Sequence, residues 1–270
     1  MAILLASILD ADWQNLAKEI QSVDKAGVDG FSIDIMDGNF VPRITFGPHI
    51  VSMIRNLTDL PIEVHLMVSN PEKQIESFCD AGADQVLIHF EATTNVLPLI
   101  RYVHSRGLSA GLAVLCDTDL KKISDEVIGE SDAINFMAVP VGYGGQKPQD
   151  NVIERIESFR ARAAAINSSL AIEIDGGMKQ NNCERYVQAG ADAVVIGTGI
   201  YHSDDYNEAV SLAKKNLHYE DISSRQRLEK FLNGNSINFV NDLERRMRLE
   251  QLRKSLDIPE ETWNPLHSRR

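Results

Sequence analysis

Cysteine is scarce: Cys79, Cys116 and Cys183 stand alone among 270 residues, far apart and odd in number. Such a set offers neither a disulfide framework nor a zinc-ligand cluster, and it points to a reducing compartment, taken as the cytoplasm. Positive charge is short as well, with 27 Lys+Arg against 39 Asp+Glu and a formal net charge of -12. That balance argues against a nucleic-acid or anionic-membrane surface. It leaves room for an anionic small molecule, because backbone amides can hold a phosphate. No apolar run reaches membrane-spanning length, and Met1-Ala2-Ile3-Leu4-Leu5-Ala6-Ser7 lacks the basic start of a signal peptide. Also missing is a Gly-x-Gly-x-x-Gly after the first apolar run, where the chain reads Ile8-Leu9-Asp10-Ala11-Asp12. That weakens the doubly wound, dinucleotide-binding alternative.

What is present is a weak repeat. Ala26-Gly27-Val28-Asp29, Ala81-Gly82-Ala83-Asp84 and Ala189-Gly190-Ala191-Asp192 each close a helical pattern and open an apolar run. Glycine there suits a helix C′ position before a short turn into a strand. Eight short runs rich in Val, Ile and Leu follow this punctuation, at about 3–8, 30–35, 62–67, 84–89, 108–115, 132–138, 170–175 and 192–197. Their near-continuous hydrophobicity is that of strands in a parallel sheet covered on both faces. Amphipathic stretches at 12–26, 71–81, 94–106, 150–166 and 179–189 lie between them, with Asp12, Asn70-Pro71 and Asp150 as helix starts. Eight βα units predict a closed (β/α)8 TIM barrel over residues 1–218. Residues 219–270 read as a polar helical C-terminal extension. From Asp221 onward there are ten Lys+Arg and eight Asp+Glu, so the tail is about +2 and the rest about -14. Within it, 238–255 has apolar residues at helical spacing and a dense Arg face, suited to docking on the barrel, a second subunit or a partner.

In such a barrel the chemistry gathers at the C-terminal ends of the strands. Those positions carry Ser7, Asp34, His65, His89, Asp175 and Gly197-Thr198. One strand-terminal Asp is ordinarily a cap; five polar endings on greasy strands converge on one bowl. Asp34 and Asp175 together provide what two-sided proton transfer requires. With His65 they suit a divalent ion (Zn, Fe, Mn or Co) that polarises a carbonyl or enediolate. His89 reads as an orienting neighbour. Glycine clusters follow three consecutive strands: Gly142-Tyr143-Gly144-Gly145-Gln146, Gly176-Gly177 and Gly197-Thr198-Gly199. Loops there commonly cradle phosphate through backbone N–H groups. Met36, Met67 and Met137 cluster near strand ends two, three and six, where gap-filling in the core is the alternative role. No lysine ends a strand, which disfavours a Schiff-base aldolase.

Together these motifs resemble the ribulose-phosphate 3-epimerase family over about residues 3–203. The likeness rests on Ala6-Ser7-Ile8-Leu9-x-Ala11-Asp12, Ile35-Met36-Asp37-Gly38-x-Phe40-Val41-Pro42, Thr45-Phe46-Gly47-Pro48, Val64-His65-Leu66-Met67, Gly142-Tyr143-Gly144-Gly145-Gln146 and Glu173-Ile174-Asp175-Gly176-Gly177. It implies a metal-dependent (β/α)8 enzyme that inverts C3 of a ketose phosphate, ribulose 5-phosphate or a relative, through a metal-held enediolate. By position, Asp34 and Asp175 would be the acid/base pair and metal ligands, and His65 a further ligand. Ser7 and His65 would contact the sugar, the three methionines the enediolate, and the glycine loops with Thr198 the phosphate. A small phosphorylated sugar and a homo-oligomeric assembly are the expected partners.

The chain departs from the family pattern at definite places. His-x-Asp before the first acid is Ser32-Ile33-Asp34 here, and a Ser hydroxyl is a poorer ligand than imidazole. Three protein ligands still suffice for a catalytic ion with open positions. Pro140-Val141-Gly142 replaces the usual Asn-Pro-Gly or Glu-Pro-Gly, and Arg43 follows Phe-Val-Pro. The leading expectation is a ketose-phosphate epimerase. A relative with altered substrate or reaction, and a weak barrel that binds through its extension, are the alternatives.

Overall fold

The apolar runs pair side by side because each is too short and too greasy to stand in water. The computed structural model describes residues 2–217. It contains β1 (Ile3–Ser7), β2 (Gly30–Met36), β3 (Ile62–Met67), β4 (Gln85–His89), β5 (Ser109–Val114), β6 (Ala133–Met137), β7 (Ala171–Asp175) and β8 (Ala193–Ile196). Neighbours in sequence are neighbours in space, all parallel, and β8 returns to β1 through Ile3↔Ala193 to Ala6↔Ile196. The sheet is a closed barrel, as the eight units predict. Every strand residue is buried, which accounts for the absence of a polar/apolar alternation.

Around the barrel run α1 (Leu16–Ala26), α2 (Pro48–Arg55), α3 (Ile75–Asp80), α4 (Leu97–Ser105), α5 (Asp125–Glu130), α6 (Val152–Ile166), α7 (Glu184–Gln188), α8 (Thr198–Tyr201) and α9 (Tyr206–Asn216). Their apolar faces meet the outward strand residues, as where Phe159 of α6 packs edge-on against Phe136 of β6 at 5.5 Å. The segments holding α2 and α5 are too short to declare a period by themselves. The expected helix starts shift a little. Asp12 caps a 3-10 turn, accepting from the Gln14 N–H at 3.0 Å, before α1 begins. Asn70 caps nothing with its side chain, and α6 begins at Val152 rather than Asp150. The amphipathic helix expected over 238–255 lies outside the described residues, as does the rest of the 219–270 extension.

The repeated Ala-Gly-x-Asp has two physical functions. Gly27, Gly82 and Gly190 take φ of 92°, 102° and 116°, ending their helices in the left-handed conformation. The aspartates then staple neighbouring strands at the barrel's lower end. Asp29 accepts from the Leu4 N–H at 2.8 Å, Asp84 from Ile62 at 2.9 Å and Asp192 from Ile172 at 3.1 Å. Each is matched by a cation from a surrounding helix: Lys214, Arg55 and Arg160 respectively. Asp132 repeats the device, taking the Ala110 N–H at 2.9 Å and a ring nitrogen of His104 at 2.8 Å.

Inside the barrel the side chains are small or polar. Leu87, Ala113, Ala133 and Ala171 form one apolar cluster, and Ile3, Leu5, Ala193 and Val195 another. Gly111 lets β4, β5 and β6 close, since a Cβ there would lie 2.6 Å from Leu87 Cδ2 and 2.7 Å from the Ala133 carbonyl oxygen. Higher up, a polar band of Ser32, Glu63, Gln85, Asn135 and Glu173 carries the site.

The staple and the surface pairs should differ sharply in worth. Asp84→Ala removes the carboxylate that pairs with the Arg55 guanidinium and accepts the Ile62 N–H, and should cost about 3–5 kcal/mol in urea denaturation. Arg101→Ala, which breaks exposed pairs to Glu126 and Glu130, should cost under about 1 kcal/mol. Equal losses would contradict the stapling role.

Candidate active site

Strand geometry brings Asp34, His65 and Asp175 together. Asp34 and His65 are register partners on β2 and β3, both pointing into the barrel, and Asp175 ends β7 across the interior. His65 Nδ1 lies 2.9 Å from Asp34 Oδ1 and 3.7 Å from Asp175 Oδ2. Ser7, at the end of β1, donates its hydroxyl to Asp34 Oδ2 at 2.8 Å. Asp34 and Asp175 both line a cleft that is shared with Ser7, Met36, Met67 and Met137 and with the glycine loops after β6, β7 and β8. The predicted site residues therefore meet at one end of the barrel, except Ser32. His65 is fully buried against the two acids.

Ser32 points one layer lower and donates to Glu63 Oε1 at 3.0 Å. Glu63 also accepts from Gln85 Nε2 at 2.6 Å, and Asn135 Nδ2 donates to Glu173 Oε1 at 2.6 Å. Burial, and next the charge of Glu63, raises the Glu173 carboxyl well above its ordinary range. Burial raises Glu63 also. Burial thus works against charge at the floor of the site, most strongly at Glu173. In sequence these glutamates resemble ordinary strand residues; only closure of the barrel makes them face inward together.

His89, fully buried, orients His65. Its Nε2 lies 3.0 Å from His65 Nε2, with the rings stacked at 5.0 Å, and its Nδ1 lies 3.1 Å from Glu91 Oε2. A carboxylate only accepts, so His89 carries its proton on Nδ1 and offers the Nε2 lone pair. His65 must then donate from Nε2, which leaves Nδ1 to face Asp34 and Asp175. Glu91 is itself held by the Leu115 N–H at 3.0 Å and by the Thr118 hydroxyl. Burial lowers His89 to about 4, keeping it neutral.

One ligand atom each from Asp34, His65 and Asp175 lies within 4.8 Å of the others, a spacing that suits a cation. Two carboxylate oxygens and an imidazole nitrogen of the right tautomer fit a first-row divalent ion. Ser32 offers no fourth ligand, because its hydroxyl is spent on Glu63. Without a cation the cluster holds protons instead. Burial, followed by the Asp34 charge, raises Asp175 to about 8. Burial opposes charge on His65, but the Asp34 hydrogen bond and charge, with Asp175 and Glu63, outweigh it and raise His65.

The glycine loops pack closely. Gln146 Nε2 donates to the Pro140 and Tyr143 carbonyl oxygens at 2.7 and 2.8 Å, pinning the loop after β6. Gly177 has φ of 71°, and a Cβ there would collide with the Gln146 carbonyl oxygen, so only glycine lets the loops after β6 and β7 touch. Thr45 braces β2 from outside, its hydroxyl donating to the Asp34 carbonyl oxygen at 2.5 Å and accepting from the Met36 N–H at 3.0 Å. Arg43 lies over the Trp13 ring at 5.6 Å, on the rim. Asp10 reaches the glycine loops from the 3-10 turn after β1 and is a site residue that sequence reasoning passed over.

Two expectations follow from these contacts. Glu91→Ala should lower divalent-ion affinity about 10–100-fold in chelator competition, whereas Glu91→Gln, which still accepts from His89, should retain most of it. For the metal-free protein, the sign is set by Asp175, ordinarily 3.8 and raised to about 8, and by the raised His65. Each binds more protons folded than unfolded, so each loses its stabilising effect as pH rises. His89 acts oppositely, but only below its unfolded 6.5. Thermal melting in chelator should therefore fall from pH 6.5 to 8; a rise would contradict the proton-held cluster.

The model of the Ribulose-phosphate 3 epimerase family matches residues 3–201. The chain is 39% identical to ribulose-phosphate 3-epimerase of Aquifex aeolicus (strain VF5) over 223 residues, covering 83% of this chain and all of that relative. It is 36% identical to the chloroplastic ribulose-5-phosphate-3-epimerase of Arabidopsis thaliana, over 77% of this chain and 74% of that one. In fold it resembles 3-hexulose-6-phosphate synthase from Salmonella typhimurium, with a TM-score of 0.57 at 21% identity, over 81% of this chain and 99% of that one. The chain belongs to the ribulose-phosphate 3-epimerase family and is an isomerase of the kind that acts on carbohydrates.

Proposed function

We propose that the protein inverts the C3 centre of a ketose phosphate of the ribulose 5-phosphate/xylulose 5-phosphate kind by two-base proton transfer. The observation that carries this reading is the pair Asp34 and Asp175, facing one cleft from opposite sides of the barrel with His65 between them. Inversion needs a base on one face of the carbon and an acid on the other, and neither strand alone could supply both. The environments differ in the useful sense. Asp34 accepts the Ser7 hydroxyl on Oδ2, which fixes the carboxylate that would act as base. Asp175, which burial and the Asp34 charge raise to about 8 in the absence of a cation, faces the cleft from the other side as the acid. In the reverse direction the roles exchange.

Removal of the C3 proton, which is acidic because C2 is a carbonyl, leaves an enediolate. Asp34, His65 and Asp175 would hold a divalent ion, which supplies electrostatic stabilisation of that negative charge. Met36, Met67 and Met137 give the cleft an apolar, polarizable wall that keeps water from the exposed face. The His65 ring is kept in place by His89 and Glu91.

Asp175→Asn and Asp34→Asn should each slow C3 proton exchange of D-ribulose 5-phosphate in deuterated water by about 10²–10⁴-fold. Each variant should bind the sugar within a few-fold of the parent. Exchange that persists at the parental rate in both variants would remove them as the acid/base pair.

A further inference from the structure

The cradle expected to receive a phosphate already holds an anion. Asp10 ends the 3-10 turn Ile8–Asp10 that follows β1, and Ser7 anchors that turn by accepting the Leu9 N–H at 3.3 Å. Barrel closure sets β1 beside β8, so the turn comes up against the loop that starts at Gly197. A Cβ on Gly197 would lie 2.5 Å from Asp10 Oδ2, and one on Gly144 would collide with Asp10 Oδ1. The backbone N–H of Thr198 donates to the same carboxylate. Two glycines from separate loops are thus bare where this side chain approaches, and an N–H that an incoming phosphate would use is engaged.

Charge sharpens the point. The described residues lining the cleft include three carboxylates, Asp10, Asp34 and Asp175, and no Lys, Arg or His side chain. A divalent ion among Asp34, His65 and Asp175 would offset two of them; nothing in the lining offsets Asp10. His202 and Arg43 act on it by charge without lining the cleft, and burial, the largest influence, raises its carboxyl above the ordinary range. A phosphate dianion arriving here meets a carboxylate at contact distance, or must displace it from the Thr198 N–H. An uncharged hydroxyl meets an acceptor.

We infer that Asp10 is a specificity-determining residue: its carboxylate occupies the anion cradle formed by the loops after β6 and β8, weakens the hold on a phosphate dianion, and admits a ketose whose distal end is an uncharged hydroxyl. The inference rests on the reading that C3 lies between Asp34 and Asp175 with the distal end of the sugar toward the glycine loops. It changes the class of terminal group taken, not the chemistry at C3.

The test uses the full-length, metal-loaded protein, with inorganic phosphate as the probe in calorimetric titration. Asp10→Ser and Asp10→Asn should bind phosphate at least about tenfold more tightly than the parent. Asp10→Glu, which keeps the charge, should stay weak, and thermal melting checks that all variants fold. In parallel, C3 exchange in deuterated water is compared for D-ribulose and D-ribulose 5-phosphate. The parent should exchange both, and in Asp10→Ser the preference in kcat/KM for the phosphate ester should rise at least about tenfold, carried by KM. Phosphate affinity equal to or weaker than the parent's in both neutral variants would overturn the inference. So would a parent that exchanges the phosphate ester but not D-ribulose. If neither ketose exchanges, the C3 proton-transfer reading fails, while the phosphate titrations still decide the role of Asp10.

Discussion

Two carboxylates buried a few ångströms apart repel strongly, and the barrel's upper interior is organised around that repulsion. His65 sits between Asp34 and Asp175 as the group that makes the pair tolerable, either by taking a proton or by sharing a divalent ion with them. Everything nearby serves to keep that imidazole in one place and one tautomer. His89 fixes its far nitrogen, Glu91 fixes His89, and Leu115 and Thr118 fix Glu91. The chain of hydrogen bonds runs from the loop after β5 through β4 to β3, so the site's electrostatics depend on strand order as much as on side-chain identity.

Below this cluster the barrel is unusually polar for a fully buried volume. Glu63 and Glu173 remain there because Ser32, Gln85 and Asn135 donate to them and because burial favours their protonated forms. Ser32 is thereby part of the floor, not a partner of the ion. The family pattern places an imidazole at that position, and its replacement removes a ligand while leaving Asp34, His65 and Asp175 mutually placed. A divalent ion held by those three residues would keep more open coordination for a substrate's oxygens.

The rim follows a different logic. The glycine loops after β6, β7 and β8 owe their closeness to missing side chains, most plainly at Gly177, where a Cβ would strike the Gln146 carbonyl oxygen. Glycine-lined loops accept whatever is brought to them, and β1 brings Asp10. One short segment delivers both Ser7 to Asp34 and Asp10 to the glycine loops.

The sequence by itself determined the architecture and the acid pair. Runs of Val, Ile and Leu at regular spacing, with glycine closing three of the intervening helices, leave a closed βα barrel as the arrangement that buries every strand, and strand bounds fell within two residues of expectation. Asp34, His65, Asp175 and the three glycine clusters were visible because polar or flexible residues interrupt apolar runs at the strand ends. Helices α2 and α5 were not visible, being too short to show a period. The staple role of Asp29, Asp84 and Asp192 was hidden as well, since an Asp opening a strand looks the same whether it caps a turn or ties two strands. Tertiary structure alone decided which side chains face one another across the interior: Ser32 with Glu63, His65 with His89, and Asp10 with Gly144 and Gly197. Those contacts join residues 24 to 187 positions apart in the chain, and they exist only because the barrel closes. Spacing along the sequence records which face a strand residue occupies, while the partner it meets there is set by closure and register.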